Sequence, residues 1–293
     1  PTAYTGMRSN TAAVLHVCAL LLAVPEGRAS WSKSRGKGGG YYKRGGGGAA
    51  TGSAAPVEHD FDTVECQKCM TTVMRLLVPA TRGCPASNAT VVTSTNTHRV
   101  PTAYCQELLP KKRACTAYSF GLDGTWDFDK AMVAQSCRVL SFDPLCCGGA
   151  HRMGPSHDFI PVGLHTYDGL ADSVDPSRPN TTFPVLSMST IMSNYQTTKV
   201  DVLRLKVGTS QEWKVLKNLI NTGTIQEIRQ LSLNLKMEDR DMWEEYRTIL
   251  NGLRGAGFHP FYVRVQTGAQ YLKVQEGSSS LYSAYEVSYG NVF

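Results

Sequence analysis

The alternation of strand-like and helix-like segments constrains this chain more than any other feature of its sequence. From Ala114 onward, short runs rich in β-branched and aromatic residues alternate with amphipathic runs at helical spacing. The strand-like runs are 114–121, 137–142, 159–164, 200–207, 228–237, 260–266 and 285–289. The helix-like runs are 128–136, 211–219 and 242–256. This order predicts an α/β fold of the Rossmann-like kind, with a mostly parallel sheet of about seven strands, helices on both faces and the last strand pair at one edge.

Charge and hydropathy exclude two classes of protein. The chain has 293 residues, with 30 Lys+Arg, 24 Asp+Glu and a formal net charge of +6. Residues 1–57 hold seven bases and one acid, so they carry the whole excess and the remainder is neutral. Because residues 58–293 have no net charge, the sequence does not support a basic core that binds nucleic acid, and no specific nucleic-acid partner is expected. No uninterrupted apolar run of about 18 residues occurs, which excludes a multi-pass membrane protein.

The N-terminal segment is expected to be a targeting signal followed by a tether. An apolar run, 12–24, follows Arg8 and precedes the small residue Ala29. This pattern predicts that residues 1–30 consist of a signal peptide and a few residues that precede it. The alternative is an uncleaved membrane anchor, although the run is short for a bilayer span. Residues 31–57 are rich in glycine and bases and predict a disordered linker, because such a stretch buries little apolar area.

Residues 58–112 precede the alternating region and are expected to form a small N-terminal cap. Within them, 63–77 has apolar side chains at helical spacing and ends before Pro79. We therefore predict a cap over 58–112 and a Rossmann-like domain over 113–293.

The cysteines favour an oxidising compartment. The chain has nine, and eight remain if the predicted signal is removed, an even number that favours disulfides in an exported protein. Cys66 and Cys69 form a C-x-x-C motif, which could be a redox pair or half of a zinc site. Zinc is disfavoured because no second C-x-x-C follows, so no metal is expected. Cys115 and Cys137 adjoin strand-like runs and could instead be buried free thiols.

Two glycosylation sequons agree with that compartment. They begin at Asn88 and Asn180. Together with the apolar run and the cysteines, they predict a glycoprotein that is secreted or held in the lumen of the Golgi or endoplasmic reticulum.

The loop after the first strand and the end of the second are the candidate ligand-binding segments. In a doubly wound sheet, ligands bind beyond the carboxyl ends of the strands. The first loop contains Gly121, Asp123 and Gly124, and its glycines let the backbone approach a ligand closely. Asp143 lies 19 residues past Gly124, where a carboxylate can accept hydrogen bonds from a ribose diol. The alternative for Asp143 is a turn residue before Pro144.

This loop favours a nucleoside ligand that has no phosphate. Its glycines lack the G-x-G-x-x-G spacing, which argues against NAD or ATP. S-adenosylmethionine has no phosphate, and its sulfonium is already activated, so the protein needs chiefly to position it. His165 and Asp168, just past the third strand, are candidates for lining the adenine end of a cofactor pocket. His151, His157 and His165 match no compact metal motif and are expected to lie in loops.

Five segments resemble one family specifically. They are 115–132, 137–144, 200–220, 228–235 and 285–291. In sequence and order they are similar to the methyltransferase-like proteins typified by methyltransferase-like protein 24, a branch of the class I S-adenosylmethionine-dependent methyltransferases. The resemblance covers roughly residues 60–293. It implies a Rossmann-like sheet, S-adenosylmethionine as cofactor, a methyl acceptor of unknown identity and an exported or Golgi-lumen protein.

The resemblance extends to individual positions. Those that match the family pattern are Gly121, Gly124, Trp126, Asp127, Asp143, Glu212, Trp213, Tyr285 and Glu286. It implies that Gly121 and Gly124 belong to the cofactor loop and that Asp143 binds the ribose. Glu212 and Trp213 are weaker candidates and could be structural. No catalytic residue is assigned.

The acceptor side departs from the family pattern. Lys206 and Gly208 stand where acids are expected after the fourth strand, and Asn234 and Lys236 replace an acid and a histidine on the fifth. At about 6–8 Å and an effective dielectric constant near 20, the Lys206 cation would repel a sulfonium by roughly 2–3 kcal/mol, unless it turns away or is paired with an acid. Two alternatives follow: an active methyltransferase, or an inactive methyltransferase-like protein that serves as a binding module.

Overall fold

The computed structural model describes residues 66–85, 89–93, 101–122, 125–173, 181–208, 211–272 and 281–291. All of them belong to one unit of the chain, Pro56–Phe293. The predicted signal peptide, the linker and both sequon asparagines lie outside the described residues, as do Asp123 and Gly124 of the first loop.

Five helices and fifteen strands occur among the described residues. The helices are α1 (Gln67–Leu76), α2 (Asp127–Ala134), α3 (Met188–Asn194), α4 (Gln211–Asn221) and α5 (Trp243–Gly255). The first eight strands are β1 (Ala89–Val92), β2 (Thr102–Cys105), β3 (Cys115–Phe120), β4 (Cys137–Phe142), β5 (His151–Gly154), β6 (His157–Ile160), β7 (Gly163–Leu164) and β8 (Gly169–Asp172). The others are β9 (Thr182–Leu186), β10 (Val202–Leu205), β11 (Gln230–Lys236), β12 (Phe258–Val265), β13 (Tyr271–Leu272), β14 (Leu281–Tyr282) and β15 (Ala284–Asn291). None of the described helices is long and apolar enough to cross a membrane.

Eight strands form the central sheet, in the order β12–β15–β11–β10–β3–β4–β6–β5. β6, β4, β3, β10 and β11 pair in parallel. Numbered along the chain, these five follow the 3-2-1-4-5 order of a Rossmann sheet. β15 runs antiparallel between β11 and β12, and β5 pairs antiparallel with β6 at the other edge. The predicted α/β, Rossmann-like fold is confirmed, and β5 is the strand beyond the expected seven.

Two local predictions around the third strand are wrong. The run 159–164 is not one strand, because β6 ends at Ile160 and β7 begins at Gly163 in a separate three-stranded sheet with β8 and β9. Pro161 lies between them and has no N–H to continue a ladder. His151 and His157 lie on β5 and β6 rather than in loops, and His157 is buried.

The central sheet separates two apolar clusters. On one face, side chains such as Tyr118 and Leu203 pack with residues of α1, α3, α4 and α5. On the other, Ala117 and Val202 pack with Phe128 of α2 and with β2. Strands buried on both faces are hydrophobic almost throughout, which is why the sequence marked them clearly. The prediction of helices on both faces is confirmed.

The segment that precedes β3 packs directly on the central sheet. β1 and β2 form an antiparallel hairpin, and all four residues of β2 are buried. The Cys105 N–H donates to Gln230 Oε1 at 2.7 Å, and Gln230 Nε2 donates to the Cys105 carbonyl at 3.0 Å. Thr102 and Ser232 share a hydrogen bond between their hydroxyls. The hairpin is thus held to β11, and the domain boundary near residue 112 stays a prediction.

The eight cysteines of the described residues lie in four pairs with their sulfurs at bonding distance. The pairs are Cys66–Cys69, Cys84–Cys105, Cys115–Cys137 and Cys146–Cys147. The alternative of free thiols at Cys115 and Cys137 is not what the structure shows, because the two are register partners on β3 and β4 with their Cα atoms 4.2 Å apart.

The ends of β3 and β10 approach each other very closely at Gly121. This residue has φ +76°, and a Cβ built on it would lie 1.7 Å from the Lys206 carbonyl oxygen. A side chain here would therefore meet backbone, which cannot move without separating the two strands. The packing of the switch point requires glycine at this position.

Gly121→Ala is expected to lower the free energy of unfolding by about 2–4 kcal/mol, because the left-handed backbone costs about 1–2 kcal/mol and the overlap adds a similar amount. Gly223→Ala is the matched control, since its φ is +74° and nothing lies within 4 Å of the added Cβ. The control should lose about 1–2 kcal/mol in urea unfolding. Equal losses in the two variants would contradict the close approach.

Candidate functional site

Polar side chains cross the central sheet in a line on the α2 face. Register pairing aligns five of them on neighbouring strands. We call them the inner polar row: Ser141, Ser119, Arg204, Ser232 and Ser288. Because side chains alternate along a strand, the residues two positions nearer the carboxyl ends of the parallel strands share this face. They form the outer polar row: Asp143, Gly121, Lys206, Asn234 and Glu286.

Backbone hydrogen bonds carry the sheet up to the outer polar row. The Gly121 N–H donates to the Phe142 carbonyl at 2.9 Å, and the Lys206 N–H donates to the Phe120 carbonyl at 2.9 Å. The row lies at the switch point, because β3 leads to β4 on one side and to β10 on the other. This is the edge where the sequence predicted a ligand.

Asp143 joins the first loop to the end of β4. Its Oδ2 accepts the Leu122 N–H at 3.0 Å, and its Oδ1 accepts the Leu145 N–H at 3.0 Å. The residue is half-buried, and each carboxylate oxygen can accept a second hydrogen bond. The structure therefore brings Gly121 and Asp143 to one edge, while their roles toward a cofactor stay predictions.

Asp168 lies in the loop between β7 and β8, and its side chain contacts the start of α3. Its carboxylate accepts the Ser187 N–H at 2.6 Å and the Thr190 hydroxyl at 2.7 Å. Burial raises the pKa of Asp168, but these hydrogen bonds outweigh it and hold the pKa below the ordinary value. Both oxygens thus stabilise the first turn of α3, and the predicted contact with the adenine end of a cofactor stays a prediction.

Glu286 faces the two cations of the polar rows. It is buried, and burial raises its pKa. The charges of Arg204 and Lys206 act in the opposite direction, as do the hydroxyls of Thr102 and Ser232. Lys206, which stands where the resemblance led us to expect an acid, therefore lies near enough to Glu286 to stabilise the carboxylate form of Glu286.

Arg204 is a buried charge that sequence reasoning missed. It is 8% exposed, and its Nη1 donates to Ser119 Oγ at 3.3 Å and to the Gly121 carbonyl at 3.4 Å. Its guanidinium lies 5.6 Å from the centre of the Phe128 ring. A charged residue in the middle of an otherwise apolar strand was the available signal, since such a residue is rarely buried without partners.

Glu212 and Trp213 fasten the start of α4 to the ends of β10 and β11. Glu212 Oε1 accepts the Gly208 N–H at 2.9 Å, and Trp213 Nε1 donates to the Lys236 carbonyl at 2.7 Å. Among the described residues, Glu212 Oε2 has no hydrogen-bond partner. Burial raises the pKa of Glu212 to about 7, against backbone N–H groups and the charge of Lys236. The geometry gives both side chains a structural role.

A second polar cluster lies beside the inner polar row. Ser141 Oγ lies 2.8 Å from His157 Nε2 and donates to Asp129. Burial lowers the pKa of His157 more than the charges of Asp129 and Asp158 raise it. His157 and Asp129 both form a hydrogen bond with the hydroxyl of Ser141. In a hydrolase triad the histidine instead bridges the serine and the acid, so this cluster is not a triad. The cluster fastens α2 to β4 and β6.

A cavity of about 310 Å³ lies at the opposite edge of the sheet, where β3, β10 and β11 begin. The buried Asp201 lines it and accepts hydrogen bonds from Arg113 Nη1 and from the Thr116 N–H, both at 2.9 Å. Since ligands of doubly wound sheets bind at the carboxyl edge, this cavity is not the predicted site.

The fold and the site define an α/β protein of the Rossmann-like class. No protein-family model matches the chain. Over 129 residues, or 43% of this chain, the sequence is 28% identical to the human probable methyltransferase-like protein 24. The match covers 34% of that protein, so the similarity spans about a third of the relative's length. The expected resemblance to the methyltransferase-like protein 24 family is thereby confirmed.

Two solved structures are distant likenesses. One is the precorrin-6y C5,15-methyltransferase from Geobacter metallireducens GS-15, with 7% identity, a TM-score of 0.28 and coverage of 63% of this chain and 83% of that one. The other is an S-adenosylmethionine-dependent methyltransferase from Agrobacterium tumefaciens, with 9% identity, a TM-score of 0.33 and coverage of 70% of each chain. The fold assignment rests on the sheet itself.

Glu212→Gln tests the raised pKa of Glu212. Because its folded pKa of about 7 lies above the ordinary 4.5, the protonated acid contributes stability that is fully present below about pH 4.5 and is lost as the pH rises through 7. Glutamine stays uncharged, so the variant should gain up to about 3 kcal/mol relative to wild type between pH 4.5 and 8. Urea unfolding at several pH values measures this difference. The exposed Glu227→Gln should show no such trend, and a flat difference for Glu212→Gln would refute the shift.

Proposed function

We propose that this chain binds S-adenosylmethionine at the outer polar row and transfers its methyl group to an acceptor whose identity is unknown. The observation that carries the proposal is Asp143 beside Gly121 at the switch point of a 3-2-1-4-5 sheet. The similarity to the probable methyltransferase-like protein 24 supports the same activity. When bound, this cofactor supplies a methyl group already activated on a sulfonium.

The residues present fit such a cofactor. Asp143 is an acceptor-only group at neutral pH and suits the two hydroxyls of a ribose. Its present donors, the N–H groups of Leu122 and Leu145, fix the carboxylate at the mouth of the first loop. Gly121 presents backbone at the same edge. The chain's own contribution would be to bind and orient the cofactor, which is the main requirement of methyl transfer.

The charge of Lys206 does not by itself exclude a cationic ligand. Burial raises the pKa of Glu286, and the charge of Lys206 opposes part of that rise, so the ammonium stabilises the carboxylate form of Glu286. An ammonium beside a carboxylate repels a third charge far less than an isolated one does. An ionised Glu286 would therefore support the active enzyme, and the inactive binding module stays the alternative outcome of the tests below.

The proposal includes a location in the secretory pathway, either secreted or in the Golgi or endoplasmic reticulum lumen. The paired arrangement of the eight described cysteines supports it, because disulfides persist in oxidising compartments. The partner we expect is a methyl acceptor there, with no specific nucleic acid.

Calorimetric titration with S-adenosylmethionine tests the site directly. Asp143→Asn should weaken binding at least about tenfold, because a hydrogen bond to a charged group contributes about 1.5–3 kcal/mol. The exposed Asp172→Asn is the matched control and should bind within about twofold of wild type. Thermal melts of both variants separate lost binding from lost folding. If folded wild-type chain does not bind at millimolar ligand, the enzyme proposal fails and the inactive module is favoured.

The double variant Lys206→Gln/Glu286→Gln tests the charge compensation, because removing one charge alone changes the potential at the ligand by its full amount whether or not a neighbour compensates it. S-adenosylmethionine is cationic at sulfur and S-adenosylhomocysteine is neutral there, so the ratio of their affinities isolates the charge effect. If an ionised Glu286 compensates Lys206, the double substitution should change this ratio less than about threefold. An unpaired cation at about 6–8 Å would instead give a rise of more than about tenfold in favour of the cationic ligand. That larger rise would show that Lys206 opposes the cofactor.

A further inference from the structure

The C-x-x-C motif lies at the start of α1, away from the polar rows. Cys66 is the N-cap residue of this helix, and Cys69 lies in its first turn. Their sulfurs are bonded to each other. Cys69 is 1% exposed, whereas Cys66 is partly exposed. An incoming thiol would therefore reach the sulfur of Cys66 first.

The helix start stabilises negative charge on Cys66. The Cys69 N–H donates to Cys66 Sγ at 3.2 Å. The first N–H groups of a helix also carry a partial positive charge, which favours a thiolate at the N-cap. When the bond between the two sulfurs opens, Cys66 thus has a donor in place for its thiolate.

A carboxylate lies beside the buried sulfur. Glu244 is in the first turn of α5, and its Oε2 lies 2.7 Å from Cys69 Sγ and 3.9 Å from Cys66 Sγ. In the disulfide neither sulfur has a proton, so this contact becomes a hydrogen bond only after reduction. The reduced Cys69 thiol would then donate to Glu244. Arg247 donates to both carboxylate oxygens and holds them in this position.

The same three side chains are a weaker metal site than a redox site. Cys66, Cys69 and Glu244 could offer three ligand atoms within 4.8 Å of one another. However, both oxygens of Glu244 already accept from Arg247, whose positive charge would oppose a metal cation. The sulfurs are also bonded to each other rather than free to ligate.

We propose that Cys66 and Cys69 form a redox-active pair that exchanges its disulfide with a cysteine pair of a protein substrate. A substrate thiolate attacks Cys66 Sγ, the Cys66–Cys69 bond breaks, and a mixed disulfide forms. The thiolate released at Cys69 takes up the proton that the substrate thiol gave up, and Glu244 accepts a hydrogen bond from the new thiol. The second substrate thiol gives its proton to solvent, and its thiolate attacks the substrate sulfur of the mixed disulfide and releases Cys66 as a thiolate. The substrate dithiol is oxidised by two electrons, and the Cys66–Cys69 disulfide is reduced by two.

Glutathione distinguishes this pair from a structural disulfide. In the full chain with Cys18→Ser, reduced glutathione should open Cys66–Cys69 at least tenfold faster than Cys84–Cys105, whose cysteines are both buried. Alkylation followed by peptide mass spectrometry measures both rates. Oxidised glutathione should form a mixed disulfide at Cys66 in Cys69→Ser and at least tenfold less at Cys69 in Cys66→Ser. Equal rates for the two disulfides, or no mixed disulfide at Cys66, would overturn the proposal.

The role of Glu244 is measured with an aromatic disulfide, 5,5′-dithiobis(2-nitrobenzoate). Its reaction with the reduced pair releases one thiol when Cys66 attacks and a second when Cys69 resolves the mixed disulfide. Because the Glu244 carboxylate can take the proton of the Cys69 thiol as Cys69 attacks, and an amide cannot, Glu244→Gln should slow the second release at least tenfold and leave the first within threefold. The exposed Glu227→Gln lies outside this cluster, is the matched control and should leave both within threefold. An unchanged second release in Glu244→Gln would show that Glu244 has no role in the exchange.

Zinc titration of the reduced chain tests the alternative. Binding of one equivalent of zinc that disappears in Cys66→Ser would assign the pair to a metal site instead. These readouts do not depend on S-adenosylmethionine.

Discussion

The pairing of β3 with β4 on one side and β10 on the other is the constraint on which the candidate site depends. These strands are parallel and in register, so their carboxyl ends stop at one level and bring Asp143, Gly121 and Lys206 to one edge. The backbone of Lys206 lies so close to Gly121 that no volume is left for a Cβ between the ends of β3 and β10. A shift of one residue in either pairing would turn these side chains to the opposite face. The geometry of the site is therefore set by backbone packing before any ligand is considered.

The polar rows place unusual chemistry inside a sheet that is otherwise apolar. Burying a charged side chain costs free energy, because the charge loses its hydration. Arg204 and Glu286 reduce that cost with additional partners, among them the hydroxyls of Ser119, Ser232 and Thr102. Thr102 belongs to β2, so the segment preceding β3 completes this network. That hairpin is part of the support of the site, and not only a cover over one face of the sheet.

The sequence predicted the strands that are buried on both faces and missed those held by local pairing. β3, β4 and β10 are mostly apolar, β11 alternates polar and apolar residues, and each lies within two residues of its predicted bounds. β5 and β8 are short and largely exposed, and β9 is short and contains Pro184, so their sequences resemble loops. Asp143 could be predicted because it follows a recognisable strand. The contacts of Arg204 with Ser119 and of Asp168 with Ser187 join residues far apart in the chain, and no local pattern encodes them.

Two buried acids at the carboxyl edge illustrate why the charge of this site cannot be deduced from one residue. Burial raises the pKa of both Glu212 and Glu286. Glu212 is opposed chiefly by backbone N–H groups, which are fixed dipoles, whereas Glu286 is opposed chiefly by cations. An ionised Glu286 would offset part of the positive charge of Arg204 and Lys206 at this edge, and a protonated one would not. How strongly the edge attracts a sulfonium is thus a property of the Lys206–Glu286 pair together with Asp143.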